Sequence, residues 1–210
     1  MEKVLAISPH TDDIELGCGG TIAKLLEKGV DVYHLMLTDA RDTLVGHFPE
    51  DTNEIQCKNA QRALGLRDEN VFLFQFTNKH FYGESRQIFE KLEELKDEIE
   101  PDLIIIPSLT ETHQDHLTTA EQAITVFRRS TSILAFEQPW NNIGFTPNLF
   151  VTLSEEHVKK KMEALDCYET QFYFGRTYMS EELIYSWART RGIQIDKEFA
   201  EAFEVIKLIR

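Results

Sequence analysis

Three cysteines are too few and too far apart to staple this chain. Cys18, Cys57 and Cys167 form no CxxC pair, and an odd number supports no disulfide framework, so the sequence predicts a reducing compartment. No apolar run approaches the ~20 residues that a bilayer span requires. Met1-Glu2-Lys3-Val4 enters a predicted strand at once, without the apolar region of a secretory leader. Positive charge is scarce as well: 22 Lys and Arg against 36 Asp and Glu leave a formal net charge of -14. Basic clusters such as Lys159-Lys160-Lys161 and the Arg189/Arg191 pair are too small to neutralise a nucleic-acid backbone. An anionic membrane surface is disfavoured on the same ground. Repeats, low-complexity tracts and linkers are missing too. These absences leave one cytoplasmic domain over residues 1–210, suited to a small neutral or cationic ligand.

What is present is a regular alternation. Val4-Leu5-Ala6-Ile7 reads as a buried strand, and Ile22, Ala23, Leu25 and Leu26 read as a helix that stops at Gly29. The pattern predicts a second strand over 30–37, a polar loop over 38–53, a helix over 54–64 closed by Gly65, and a third strand over 71–76. Ile88, Leu92, Leu95 and Ile99 mark an amphipathic helix that Pro101 stops. Leu103-Ile-Ile-Ile-Pro107 has the continuous apolar character of a central parallel strand; a loop over 110–116 and a helix to about residue 127 follow. This alternation specifies an α/β fold: a Rossmann-like, doubly wound, mostly parallel sheet with helices on both faces. Further strands are predicted over 133–137 and 149–153, with Ser154 and Ser180 as N-caps of two later helices. The tail over 200–209 reads equally as helix or edge strand.

Two loops bring the chemistry. The first, after the opening strand, is Ser8-Pro9-His10-Thr11-Asp12-Asp13, running into Ile14-Glu15-Leu16-Gly17-Cys18-Gly19-Gly20-Thr21; the second holds His113-Gln114-Asp115-His116. Right-handed crossovers send the carboxyl ends of parallel strands to one sheet edge, so both loops belong there, about 100 residues apart in sequence. Three histidines and three aspartates suffice for a hydrolytic zinc site: about three N or O ligands, plus a carboxylate that stays off the metal as base. Blander roles exist for each piece. Asp12 and Asp13 suit a helix N-terminus, His113 and His116 suit a helix surface, and the glycines suit either a phosphate cradle or close helix packing. Spacing alone does not separate Asp12 from Asp13.

The first loop resembles the PHPDDxELGxGGT signature of the PIG-L/LmbE-like zinc deacetylases, and His-Gln-Asp-His resembles their HPDH. Lys161-Met-Glu-Ala-Leu-Asp-Cys-Tyr-Glu-Thr-Gln171, Arg191-Gly192 and Ala200-Glu-Ala-Phe203 extend the likeness over nearly the whole chain. The resemblance implies an enzyme that removes an N-acetyl group from an amino sugar or its conjugate, with His10, Asp13 and His116 holding Zn2+. It implies Asp12 as general base, and His113, oriented by Asp115, as the group that stabilises the oxyanion or protonates the leaving amine. It also implies a homo-oligomer, trimer or hexamer, with the aromatic segment 136–150 as a source of contacts. If Asp115 ion-pairs with His113, that imidazole is held charged.

Departures bear on the substrate. Thr11 and Gln114 stand where the family usually has proline, and Asn53 stands where many sugar-conjugate deacetylases carry arginine. These differences argue against a glucosaminyl-malate or inositol-linked sugar. Two rivals remain at this stage: a nucleotide- or phosphate-binding module built on the glycines, and a metal-binding protein without catalysis.

Overall fold

β1 (Lys3–Ser8) serves two cores at once, which is why its apolar run has no polar alternation. Val4 and Ala6 point to one face of the sheet and Leu5 and Ile7 to the other. β4 (Leu103–Pro107) repeats the arrangement, with Leu103 and Ile105 on the first face and Ile104 and Ile106 on the second. In this computed structural model, which describes residues 1–209, seven strands form one sheet in the order β3-β2-β1-β4-β5-β7-β6. The other strands are β2 (Asp31–Met36), β3 (Val71–Leu73), β5 (Ser132–Phe136), β6 (Leu149–Leu153) and β7 (Phe199–Lys207).

Strands β1 to β5 pair in parallel. The first face is covered by α1 (Asp13–Glu27), α2 (Thr52–Leu64) and α5 (Glu155–Leu165), the second by α3 (Ser85–Ile99) and α4 (Gln114–Phe127). A third cluster joins α5, α7 (Glu181–Ile193) and β6 around Leu165, Ile184 and Leu153. Between α5 and α7 lies the short α6 (Glu169–Tyr173). Ser154 and Ser180 do cap α5 and α7 through their hydroxyls, and Gly65 closes α2 in the left-handed region at φ 101°.

The structure departs from the sequence pattern in three places. β3 is three residues long instead of six, although the Phe74 and Phe76 N–H groups still donate to the Met36 and Leu37 carbonyls, and the Phe76 ring packs on Phe81. The tail is a strand, but an interior one: β7 inserts between β5 and β6, antiparallel to both. Burial of Phe199, Ala200, Ala202 and Phe203 on both sides fixes it there.

The third departure is α1, which starts at Asp13, before the glycines, and kinks at Cys18 (φ -150°, ψ 21°). A Cβ on Gly17 would sit 2.2 Å from the Phe136 ring, so only glycine lets the helix lie this close to β5. Past the kink, the N–H groups of Gly20 and Thr21 donate to the Glu201 carboxylate at 3.0 and 2.6 Å. Lys161 donates to the same carboxylate at 2.8 Å, and both side chains are buried. The restarted helix thus has its positive end on a β7 carboxylate.

Candidate active site

The sheet reverses its winding at β1: β2 lies on one side and β4 on the other. In doubly wound sheets the crevice beyond such a switch point is where ligands sit. The loops carrying His10 and His113 leave from these two neighbouring strands, and a cleft of about 550 Å³ opens over them. Its walls include Asp12, Asp13, Asn53, Trp140, Arg176 and Tyr178. A larger groove of about 790 Å³ runs beside α1 and β6, past Leu25, Ile105 and Val151, and holds none of the two loops' residues.

The first loop is braced from below. Ser8 Oγ donates to the His10 carbonyl at 2.8 Å, so the hydroxyl accepts from His34 Nε2 at 2.9 Å. Burial pushes the His34 imidazole down to about 4, so it stays neutral. The Tyr168 hydroxyl bonds the Thr11 carbonyl and lies 2.7 Å from Glu15, whose carboxyl also accepts from Gln61 at 2.6 Å. Burial raises Glu15 to about 8.

His10, Asp13 and His116 converge, their candidate ligand atoms all within 4.8 Å of one another. His10 Nδ1 is 3.4 Å from Asp13 Oδ2, and His116 Nε2 is 3.4 Å from Asp13 Oδ1. The two distances run to different Asp13 oxygens, and two imidazoles with one carboxylate make a donor set of the chemistry that zinc takes. Asp13 is fixed by the His10 backbone N–H and by Gln138 Nε2, both at 2.8 Å. Burial alone would lower the His10 imidazole, but Asp115 and then Asp13 outweigh it and raise it to about 10. Burial likewise opposes ionisation of Asp13, and the neighbouring His116 and His10 override it and hold this carboxyl low. Positive charge is strongly favoured at this point.

Asp12 stands beside the cluster without joining it. It occupies the N-cap of α1, yet its side chain makes no capping bond, so the helix-cap role does not account for it. Burial first, and Asp13 second, raise its carboxyl to about 6.

In the second loop the expected pairing changes. Asp115 Oδ2 lies 3.3 Å from His10 Nε2 and accepts from the Lys79 N–H at 2.7 Å, while Oδ1 accepts from Phe81 N–H at 3.3 Å. Its carboxylate therefore supports His10 and the loop after β3; it does not ion-pair with His113. What links Asp115 to His113 is its backbone N–H, which donates to His113 Nδ1 at 3.3 Å. That bond leaves the His113 proton on Nε2. Burial, with His10 and His116 nearby, lowers His113 to about 4, so the expected imidazolium becomes a neutral N–H donor.

Three participants were given no role in the sequence reading, although Tyr168 lies within the family-like stretch 161–171. Gln138 lies in an Asn-rich loop, Tyr168 in a helix connection, and Glu111 two residues before His113. Trp140 stacks on Tyr178 with centroids 4.7 Å apart and planes at 11°. Asn53 lines the cleft, but its amide donates to the Asp39 carbonyl at 2.7 Å, so no cation occupies the position. Cys18 is buried in the core.

The family model described as GlcNAc-PI de-N-acetylase, PIG-L, matches residues 5–127. The chain is 31% identical over 167 residues to the uncharacterized deacetylase YaiS of Escherichia coli, covering 77% of this chain and 88% of that one. It is 28% identical over 193 residues to the diacetylchitobiose deacetylase of Thermococcus kodakarensis, covering 82% and 71%. Among solved structures, GalB of Pseudomonas putida, a 4-carboxy-2-hydroxymuconate hydratase, superposes with a TM-score of 0.82 at 19% identity, covering 100% of this chain and 98% of that one. At that identity the likeness concerns the fold alone.

Proposed function

The chain belongs to the PIG-L family, the GlcNAc-PI de-N-acetylases, and on that footing we propose that it is a zinc-dependent N-deacetylase acting on an N-acetylated amino sugar or amino-sugar conjugate. One observation carries the reading: His10, Asp13 and His116 converge at the cleft with an uncapped Asp12 carboxylate next to them. The phosphate-module rival loses its anchor, because the Gly20 and Thr21 N–H groups are already taken by Glu201.

In this reading His10, Asp13 and His116 hold the metal. Zinc, when bound, supplies Lewis acidity, polarising the acetyl carbonyl and acidifying water toward a pKa of ~7. Asp12 takes the proton of the attacking water; burial and the neighbouring Asp13 make this carboxylate more basic than an ordinary aspartate. His113 Nε2–H donates to the oxygen that gains charge, as a neutral imidazole. The new C–O bond yields acetate, the amide C–N bond breaks, and the proton held on Asp12 passes to the amine nitrogen. Asp115 acts through His10, and Gln138 through Asp13. The stacked Trp140–Tyr178 pair offers an apolar wall to the C–H face of a sugar ring.

The same proposal takes the enzyme as one domain over residues 1–210, cytoplasmic, and assembled as a trimer or hexamer. Among the described residues no helix is long and apolar enough to cross a membrane.

Acetate release from a panel of N-acetylated monosaccharides, disaccharides and nucleotide sugars tests the activity, with Asp12→Asn as control. Wild-type protein with about one zinc per chain should release acetate and the variant should not. Zinc binding without release across a broad panel would leave a metal-binding protein without this activity. Hydration of 4-carboxy-2-hydroxymuconate instead would align the chain with the hydratase.

A further inference from the structure

Glu111 is a buried charged residue of the second loop that no role yet explains. Its side chain is fully buried, and neither carboxylate oxygen has a hydrogen-bond partner among the described residues. His116 Nδ1 is equally without one. These two orphans face each other, with Oε1 3.4 Å from Nδ1. A carboxylate taken out of water with no donor is strongly disfavoured, so a facing N–H is what makes its burial tolerable.

The backbone aims Glu111 at this spot. Glu111 bridges to Asn142 across the loop after β5, Thr112 N–H donates to the Asn141 carbonyl at 3.0 Å, and Ile143 N–H donates to the Thr110 carbonyl at 3.0 Å. That same loop supplies Gln138, the donor to Asp13. One segment thus supports two of the three convergent side chains from behind. His10 has its own support in Asp115, but that carboxylate also accepts two backbone N–H groups, whereas Glu111 has His116 alone.

We propose that Glu111 is the positioning residue of His116: its carboxylate accepts the Nδ1 proton, which fixes the ring with Nε2 turned to Asp13 and strengthens that nitrogen as a donor to the metal. The inference rests on the metal-centre reading above. A carboxylate behind a ligating imidazole typically accounts for a 10- to 100-fold effect on metal affinity.

The test uses the full-length chain, stripped with a chelator and titrated with Zn2+ against a competing dye, and with Co2+ for its visible spectrum. Glu111→Gln, which keeps the shape and removes the charge, should weaken Zn2+ binding about 10- to 100-fold and alter the Co2+ ligand-field bands. Glu111→Asp, which keeps the charge one methylene short, should recover part of both. A purely structural Glu111 would lower the melting temperature of the metal-free protein and leave Zn2+ affinity and the Co2+ spectrum at wild-type values. That result overturns the proposal. If Glu111→Gln does not fold, the aspartate variant decides: wild-type affinity and spectrum in it overturn the proposal equally. Failure of the wild-type chain to bind either metal would instead overturn the metal centre itself, which separates the two readings.

Discussion

The Asp115 carboxylate lies 3.3 Å from His10 Nε2, a partner 105 residues away, although His113 and His116 are its near neighbours in sequence. The second loop therefore reaches into the first, and the roles of its three polar residues divide accordingly. Asp115→Asn should weaken Zn2+ binding about 10- to 100-fold, because His10 loses its charged support. A chelator-competition titration measures this.

His113→Ala should do the reverse. In the proposed reading its Nε2–H serves the reaction while His10, Asp13 and His116 hold the metal, and the second metal-capable group, His10 with His113 and Asp115, stays empty; turnover should then fall about 10²- to 10³-fold with about one zinc retained. Metal analysis beside acetate-release kinetics separates the two variants. Loss of stoichiometric zinc in His113→Ala would sink this division of roles.

His34 gives the fold a pH dependence. Its imidazole is depressed to about 4 in the fold against about 6.5 unfolded, so the unfolded chain takes up the proton first as pH falls. The stability due to its neutral form is complete above pH ~6.5 and is lost as the pH drops toward about 4. At pH 5 the loss should be roughly 2 kcal/mol. Urea unfolding at pH 7.5 and pH 5 should therefore show a smaller drop for His34→Gln than for the wild-type chain. Equal drops would remove His34 from the account.

Gly17→Ala puts a Cβ 2.2 Å from the Phe136 ring. Overpacking of this kind costs about 1–3 kcal/mol, or a fall of roughly 2–10 °C in melting temperature for a chain of this size. Phe136→Leu added to it should recover part of the loss, since the two sites touch. A double variant no better than the sum of the singles would place the strain elsewhere.

Glu201→Gln removes the charge that pairs buried Lys161 and caps the restarted half of α1. The uncompensated lysine should cost about 3–5 kcal/mol, and pairing the change with Lys161→Met should relieve part of it. Thermal denaturation of the single and double variants gives the comparison.

Much of this protein was legible in the sequence because local physics wrote it there. Continuous apolar runs at 4–7 and 103–107 marked strands buried on both faces, helical spacing at Ile88, Leu92, Leu95 and Ile99 marked a one-sided helix, and Ser154, Ser180 and Gly65 marked helix ends. These features depend on neighbours a few residues away. The two polar loops were legible for the same reason, since chirality alone sends parallel strands' carboxyl ends to one edge.

Only the tertiary structure decided the rest. That β1 and β4 are neighbours, which joins the two loops into one site, follows from strand order, and strand order is set by which faces bury the most surface together. The tail became an interior strand because β5 and β6 both needed a partner, a demand no window of the tail could express. Asp115 turned to His10, Glu111 to His116 and Gln138 to Asp13 because buried polar groups take whichever partner the packed chain brings within reach. The opening motif named the metal chemistry; the fold chose the side chains that stand behind it.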